Sequence, residues 1–116
     1  MSKPLGPYTP AVRAGDLIVV SGQGGVLDGV LVDGVTAQTR QAIANAKALL
    51  AEHGAQLTDV FKTMCFLTDM STFGEFNEGY VEAFAGHRPA RSTVGVNELP
   101  GGFRVEIEMW AHAPAK

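Results

Sequence analysis

A single cysteine, Cys65, occurs in the 116 residues, which excludes an intramolecular disulfide and any multi-cysteine metal site. Basic residues are also few. Nine lysines and arginines face twelve acids, the net charge is −3, and no basic run appears, so there is no nucleic-acid footprint. Charged residues of both signs reach only 18% of the chain, against about 25% in average proteins. No apolar run approaches the roughly 18 residues of a membrane span. Met1 to Tyr8 carries one lysine and no apolar core of a secretory signal. The expectation is one cytoplasmic domain over residues 1–116, with no membrane and no nucleic-acid partner. What is plentiful is apolar: 46% hydrophobic residues, with 14 glycines besides. A chain this short buries only about two-thirds of its unfolded surface. Apolar residues in excess of that point to a surface covered by a partner.

Glycine and proline punctuate the chain into short elements. Asp16 to Gln23 is β-branched and bounded by glycines, which predicts a strand. Asp28-Gly29 is a hairpin turn signal inside the glycine-rich stretch Gly24 to Gly34, with Val30 to Val32 as a short strand. Thr36 to His53 reads as a helix, with Ile43, Ala46, Leu50 and His53 on one stripe, Ala42 and Leu49 beside them and Gly54 as its stop. Val60 to Leu67 predicts a strand. Thr72 to Gly86 predicts a second helix, opened by a Thr72/Glu75 capping box and faced by Phe73, Phe76, Tyr80 and Phe84. Arg91 to Val96 and Phe103 to Ala111 complete the strands, joined by a turn at Leu99 to Gly102. The order β-β-α-β-α-β-β gives an α+β domain, a mixed sheet with two helices on one face.

Two strands are apolar on both faces. Leu17 and Val19 alternate with Ile18 and Val20, and Met64 and Phe66 alternate with Phe61, Cys65 and Leu67. Strands of this kind are buried on both sides. Two helices cover one side only, so the other side predicts an obligate oligomer.

Four places break their local pattern, as functional residues often do. Asn77 interrupts the apolar face of the second helix, either bonding a loop carbonyl or facing a pocket. Arg91 opens a strand, either solvated or offering its planar fork to a carboxylate. Glu106 and Glu108 share the outward face of the last strand, either solvated or, under an oligomer, partly buried with a raised pKa suited to acid–base work. Tyr8 sits in an irregular arm, as packing or as an anchor at a subunit boundary. His53, His87 and His112 lack metal-ligand spacing, and Cys65 reads as an inert core thiol. Ser21-Gly22-Gln23-Gly24-Gly25 matches neither a P-loop nor a nucleophile elbow, though its glycines let backbone N–H groups approach a ligand.

Taken together, these segments resemble the reactive-intermediate deaminase family (RidA/YjgF, enamine/imine deaminases). The matching pieces are Gly6-Pro7-Tyr8, Ser21-Gly22-Gln23, Gln38-Thr39-Arg40-Gln41 with Asn45, Phe76-Asn77 with Tyr80, Pro89-Ala90-Arg91-Ser92-Thr93-Val94, Leu99-Pro100 and Val105-Glu106-Ile107-Glu108. They span nearly the whole chain. The resemblance implies a chorismate-mutase-like (YjgF-type) homotrimer with three clefts between subunits. It also implies hydrolysis of enamines or imines of the 2-aminoacrylate and 2-iminobutanoate/2-iminopropanoate type to a 2-keto acid and ammonia, with no cofactor and no metal. By the same resemblance, Arg91 binds the substrate carboxylate with a backbone N–H near Thr93, and Glu106 positions or activates water. Tyr8 and Asn77 are pocket residues, and Ser21 and Gly22 form part of the pocket wall.

The chain departs from the family pattern at Gly24-Gly25, where members commonly have Ile-Pro, and at Thr93, where many have Cys. The loops before the first helix and between Phe84 and Pro89 are short. These changes touch the pocket wall and so the substrate preference. A 2-keto acid-binding or regulatory module on the same scaffold is the alternative. A nuclease is disfavoured by the acidic charge balance.

Overall fold

The computed structural model describes residues 4–115. Met1–Lys3, where the stretch lacking a secretory core begins, and Lys116 lie outside the described residues. The strands are β1 (Ala11–Ala14), β2 (Leu17–Gln23), β3 (Val26–Leu27), β4 (Val30–Leu31), β5 (Val60–Leu67), β6 (Ala90–Gly95) and β7 (Val105–His112). The helices are α1 (Val35–Glu52) and α2 (Phe73–Phe84). Five strands form one mixed sheet in the order β1-β2-β7-β5-β6, and β3 and β4 form a separate ribbon. Only β5 and β6 run parallel, because α2 carries the chain from one to the other. Among the described residues no helix is long and apolar enough to cross a membrane.

Both helices pack on one face of the sheet, as the pattern predicts. Ile18 and Val20 of β2, Cys65 and Leu67 of β5, and Val105, Ile107, Met109 and Ala111 of β7 point into the core. They meet Ala42, Ile43, Ala46, Leu49 and Leu50 of α1 and Phe76, Tyr80 and Phe84 of α2. The Asp28-Gly29 turn forms as expected, with both residues at positive φ, and joins β3 to β4.

Three local readings need correction. β1 is a strand that its own residues do not announce. Four residues containing Arg13 carry little pattern, and pairing with β2 makes them a strand. The Thr72/Glu75 capping box does not form. Thr72 Oγ1 instead donates to the Asp69 carbonyl at 2.6 Å, and a short 3-10 turn, Met70–Thr72, leads into α2. Asp69 caps that turn by accepting from the Ser71 N–H and hydroxyl, which holds its carboxyl below the ordinary range. Phe61 does not share a face with Cys65 and Leu67. The register slips between Val60 and Lys62, so Val60 turns into the core and Phe61 is exposed.

The second sheet face carries no helix. Val12, Leu17 and Val19 are exposed there at 50%, 44% and 40%, with Val94 at 38% near the far edge. Lys62, Met64 and Phe66 of β5 and Glu106, Glu108 and Trp110 of β7 lie between them, paired across the ladder.

Candidate active site

The sequence-predicted site residues fall into two groups, and the sheet separates them. The first group lies at the edge of the open face. β7 alternates, so Glu106 points away from the core that holds Val105 and Ile107. It is half-buried because β2 runs beside it with Gly22 at the point of contact. A Cβ on Gly22 would stand 2.6 Å from the Glu106 carboxyl carbon, so only glycine leaves that carboxylate its place. Burial raises the Glu106 pKa above its ordinary value, and the neighbouring Glu108 charge adds to the rise. Ser21 pins the N-terminal arm: its N–H donates to the Pro10 carbonyl at 2.8 Å and its hydroxyl to the Thr9 carbonyl at 2.9 Å. That brings Tyr8 to the rim, where its hydroxyl accepts from the Leu5 N–H at 3.3 Å. Tyr8, Ser21, Gly22 and Glu106 thus line one open groove of about 940 Å³.

The second group lies on the helix-covered side of edge strand β6. Arg91 pairs with Thr63 and Thr93 with Cys65, both of which face the core, so Arg91 and Thr93 face α2. The Arg91 guanidinium carbon stands 4.8 Å from the centre of the Tyr80 ring, 5.2 Å from Phe76 and 5.5 Å from Phe73. Two buried polar atoms here lack any partner among the described residues: Asn77 Oδ1 and Thr93 Oγ1. Buried polar atoms without partners are rare, and each calls for a hydrogen-bond partner beyond the described residues. Arg91 and Glu106 therefore do not meet within one chain. One faces the helices and the other the open side of the same sheet.

Other residues do structural work around the groove. On α1, Gln38, Gln41 and Asn45 interrupt the apolar face. Asn45 Nδ2 donates to the carbonyls of Gly24 and Val26 at 3.0 and 2.9 Å. Gln38 donates to the Val32 carbonyl and accepts from the Arg104 N–H. These bonds tie down the glycine-rich wall of the groove. Their signal in the sequence is polar residues at positions 38, 41 and 45, the buried spacing of an apolar stripe. Gly24 belongs to the same wall, where a Cβ would lie 2.2 Å from the Phe103 ring. The departure at Gly24 thus lets Phe103 close against the wall. Asn45→Ala leaves both carbonyls without this donor. The expected loss is about 2–3 kcal/mol of stability in urea unfolding.

Cys65 is a buried thiol that donates to Thr63 Oγ1 at 3.8 Å, and burial pushes its pKa up to about 11. It stays protonated and unreactive at neutral pH.

The fold and site define a two-layer α+β domain that presents, among the described residues, an arginine without a hydrogen bond or ion pair on one side of its sheet and a desolvated carboxylate on the other. The model of the family described as Endoribonuclease L-PSP matches residues 1–113. A protein from Dermatophagoides farinae named 2-iminobutanoate/2-iminopropanoate deaminase is 41% identical over 109 residues, covering 91% of this chain and 85% of that protein. The YjgF gene product of E. coli superposes with a TM-score of 0.90 at 37% identity, covering 94% of this chain and 90% of that one. E. coli TdcF with bound serine gives 0.89 at 34% identity, with the same two coverages. The chain belongs to this family, the YjgF/RidA family.

Proposed function

We propose that the chain acts as a homotrimer that hydrolyses 2-imino acids, and their enamine tautomers, to 2-keto acids and ammonia. The carrying observation is the division of polar groups between the two sides of the sheet. Neither half is a complete site, and each offers what the other lacks. A second chain seated on the open face buries its apolar surface and brings one chain's Glu106 groove toward its neighbour's Arg91. The cleft then lies between subunits.

In that cleft Arg91 grips the substrate carboxylate through two parallel charge-assisted bonds, about 1.5–3 kcal/mol net. Asn77 Oδ1 needs a hydrogen-bond donor, which an imine N–H supplies and a carboxylate does not. Glu106 takes a proton from water as the oxygen attacks the imine carbon. That proton passes to the imine nitrogen to give the carbinolamine, whose hydroxyl proton then moves through Glu106 to the same nitrogen as the C–N bond breaks, so that ammonia leaves and the keto acid remains. An enamine must first take a proton on its terminal carbon to become the imine. Such imines also hydrolyse in free water, so general acid–base help of about 10²–10⁴ is enough. The mite relative's name and the serine held by TdcF, a molecule with an α-carboxylate beside a nitrogen, support the reading. The net charge of −3 opposes binding of a polyanion such as RNA.

The test is keto-acid release from 2-iminobutanoate generated in situ by a threonine dehydratase. Purified protein is expected to accelerate release above the spontaneous rate. Binding of 2-oxobutanoate with no acceleration would instead mark a binding module. Assembly has its own check. Sedimentation should show a species about three times 12.2 kDa, and Val19→Lys, a charge on the open face, should reduce it to the monomer.

A further inference from the structure

Arg91 differs from Arg13, Arg40 and Arg88, whose guanidinium groups have polar partners, and from Arg104, which is exposed where Arg91 is partly buried. Arg13 donates to the Gly15 and Ala113 carbonyls, Arg40 pairs with Glu82 at 3.0 Å, and Arg88 donates to the Ala85 and His87 carbonyls. Among the described residues the Arg91 guanidinium makes no hydrogen bond and no ion pair. Three aromatic rings hold it instead. They stand one turn apart along α2, with ring centres 6.4 Å apart from Phe73 to Phe76 and 5.6 Å from Phe76 to Tyr80.

The nearest ring is also the most constrained. Tyr80 is 4% exposed, and its hydroxyl lies 2.8 Å from Thr63 Oγ1. Thr63 is the residue paired with Arg91 across the β5–β6 ladder. The strand that carries the arginine's neighbour therefore clamps the ring that carries its charge. Burial raises the Tyr80 pKa, so the phenol stays neutral and keeps that bond.

A carboxylate partner would also fix an arginine, but it would occupy the N–H fork and neutralise the charge. Ring faces attract the cation through their quadrupole and leave the fork edges open. We infer that Tyr80, with Phe76 and Phe73, is a positioning device that holds Arg91 in place while keeping its planar fork free for the carboxylate of a small 2-imino or 2-keto acid. This rests on the carboxylate-binding reading of Arg91 and adds to it the groups that make the arginine available. Tyr80 acts on binding through Arg91 and does not touch the reacting atoms.

The experiment measures kcat and KM for 2-iminobutanoate hydrolysis and the Kd of 2-oxobutanoate by calorimetry. Tyr80→Leu should raise KM and Kd about tenfold and change kcat less than about threefold. Tyr80→Phe keeps the ring and should restore most of the affinity. Phe73→Leu, at a ring that is 37% exposed and outside the core, should raise Kd about threefold with unchanged melting temperature. Unchanged Kd in folded Phe73→Leu and Tyr80→Leu overturns the proposal. If Tyr80→Leu fails to fold, unchanged Kd in Phe73→Leu alone overturns it. Arg91→Ala separates the two levels. Normal 2-oxobutanoate binding in that variant would refute the carboxylate reading itself. Lost binding in Arg91→Ala beside normal binding in the ring variants would refute only the aromatic cradle.

Discussion

Arg91→Ala chains and Glu106→Ala chains should each be inactive alone, yet regain about one quarter of the wild-type rate when mixed at random in the same assemblies. The reasoning starts from the sheet. Thr63 pairs with Arg91 and faces the core, whereas Phe66 pairs with Glu106 and faces the open side. No rotamer of either side chain carries it through the sheet to the other. A site using both must take them from two chains. In a mixed trimer each cleft draws Arg91 from one neighbour and Glu106 from the other, and by chance half the chains are sound for each role. About a quarter of clefts then receive two sound residues. The measurement is imine hydrolysis by co-expressed, differently tagged variants purified through both tags, which enriches the mixed species and raises the recovered share. A verified mixed trimer with no recovery would show that the two residues do not serve one cleft.

Much of the fold is legible in the sequence, and the parts that are not share a cause. β2, β5 and β7 are long and β-branched enough to declare themselves. Their doubled apolar pattern identified the uncovered face that the structure displays. Periodicity could not say which residues of different strands share a side, because that depends on register. Arg91 and Glu106 each broke their local pattern, but only the β5–β6 and β5–β7 pairings place them on opposite sides of one sheet. One slipped residue turned Phe61 out of the core for the same reason. β1 is not legible in its own residues because pairing with β2 makes it a strand. The aromatic stripe of α2 reads as core, and Phe76, Tyr80 and Phe84 are core, whereas Phe73 at its start is exposed. That the same rings also hold a cation depends on β6 passing alongside, a long-range fact. Asn77 is legible as a break in the pattern, since an amide in an apolar helix face is visible in one dimension, and its Oδ1 is buried without a partner among the described residues.

Glu106→Gln should lower kcat/KM by about 10²–10⁴ while leaving the fold and the binding of 2-oxobutanoate intact. The amide keeps the shape beside Gly22 but can neither take a proton from water nor return one to the departing nitrogen. The pH dependence sharpens the test. Burial first, and the Glu108 charge second, raise the Glu106 pKa in the folded protein. The ionised carboxylate is the working base, so activity should fall as pH drops through a midpoint above the ordinary glutamate value of about 4.3. Stability moves the opposite way. A carboxyl whose folded pKa exceeds its unfolded value binds its proton more tightly when folded. Stability is therefore highest below the unfolded pKa and declines as pH rises through the folded one. At neutral pH the Gln variant lacks that penalty and should melt slightly higher than wild type, even as its turnover collapses. Glu108→Gln removes only the neighbouring charge. It should keep most of the neutral-pH rate while shifting the acid limb part of the way back toward the ordinary carboxyl range, the remainder being due to burial. An acid limb that stays put in Glu108→Gln, or full turnover in Glu106→Gln, would take Glu106 out of the proton-transfer role.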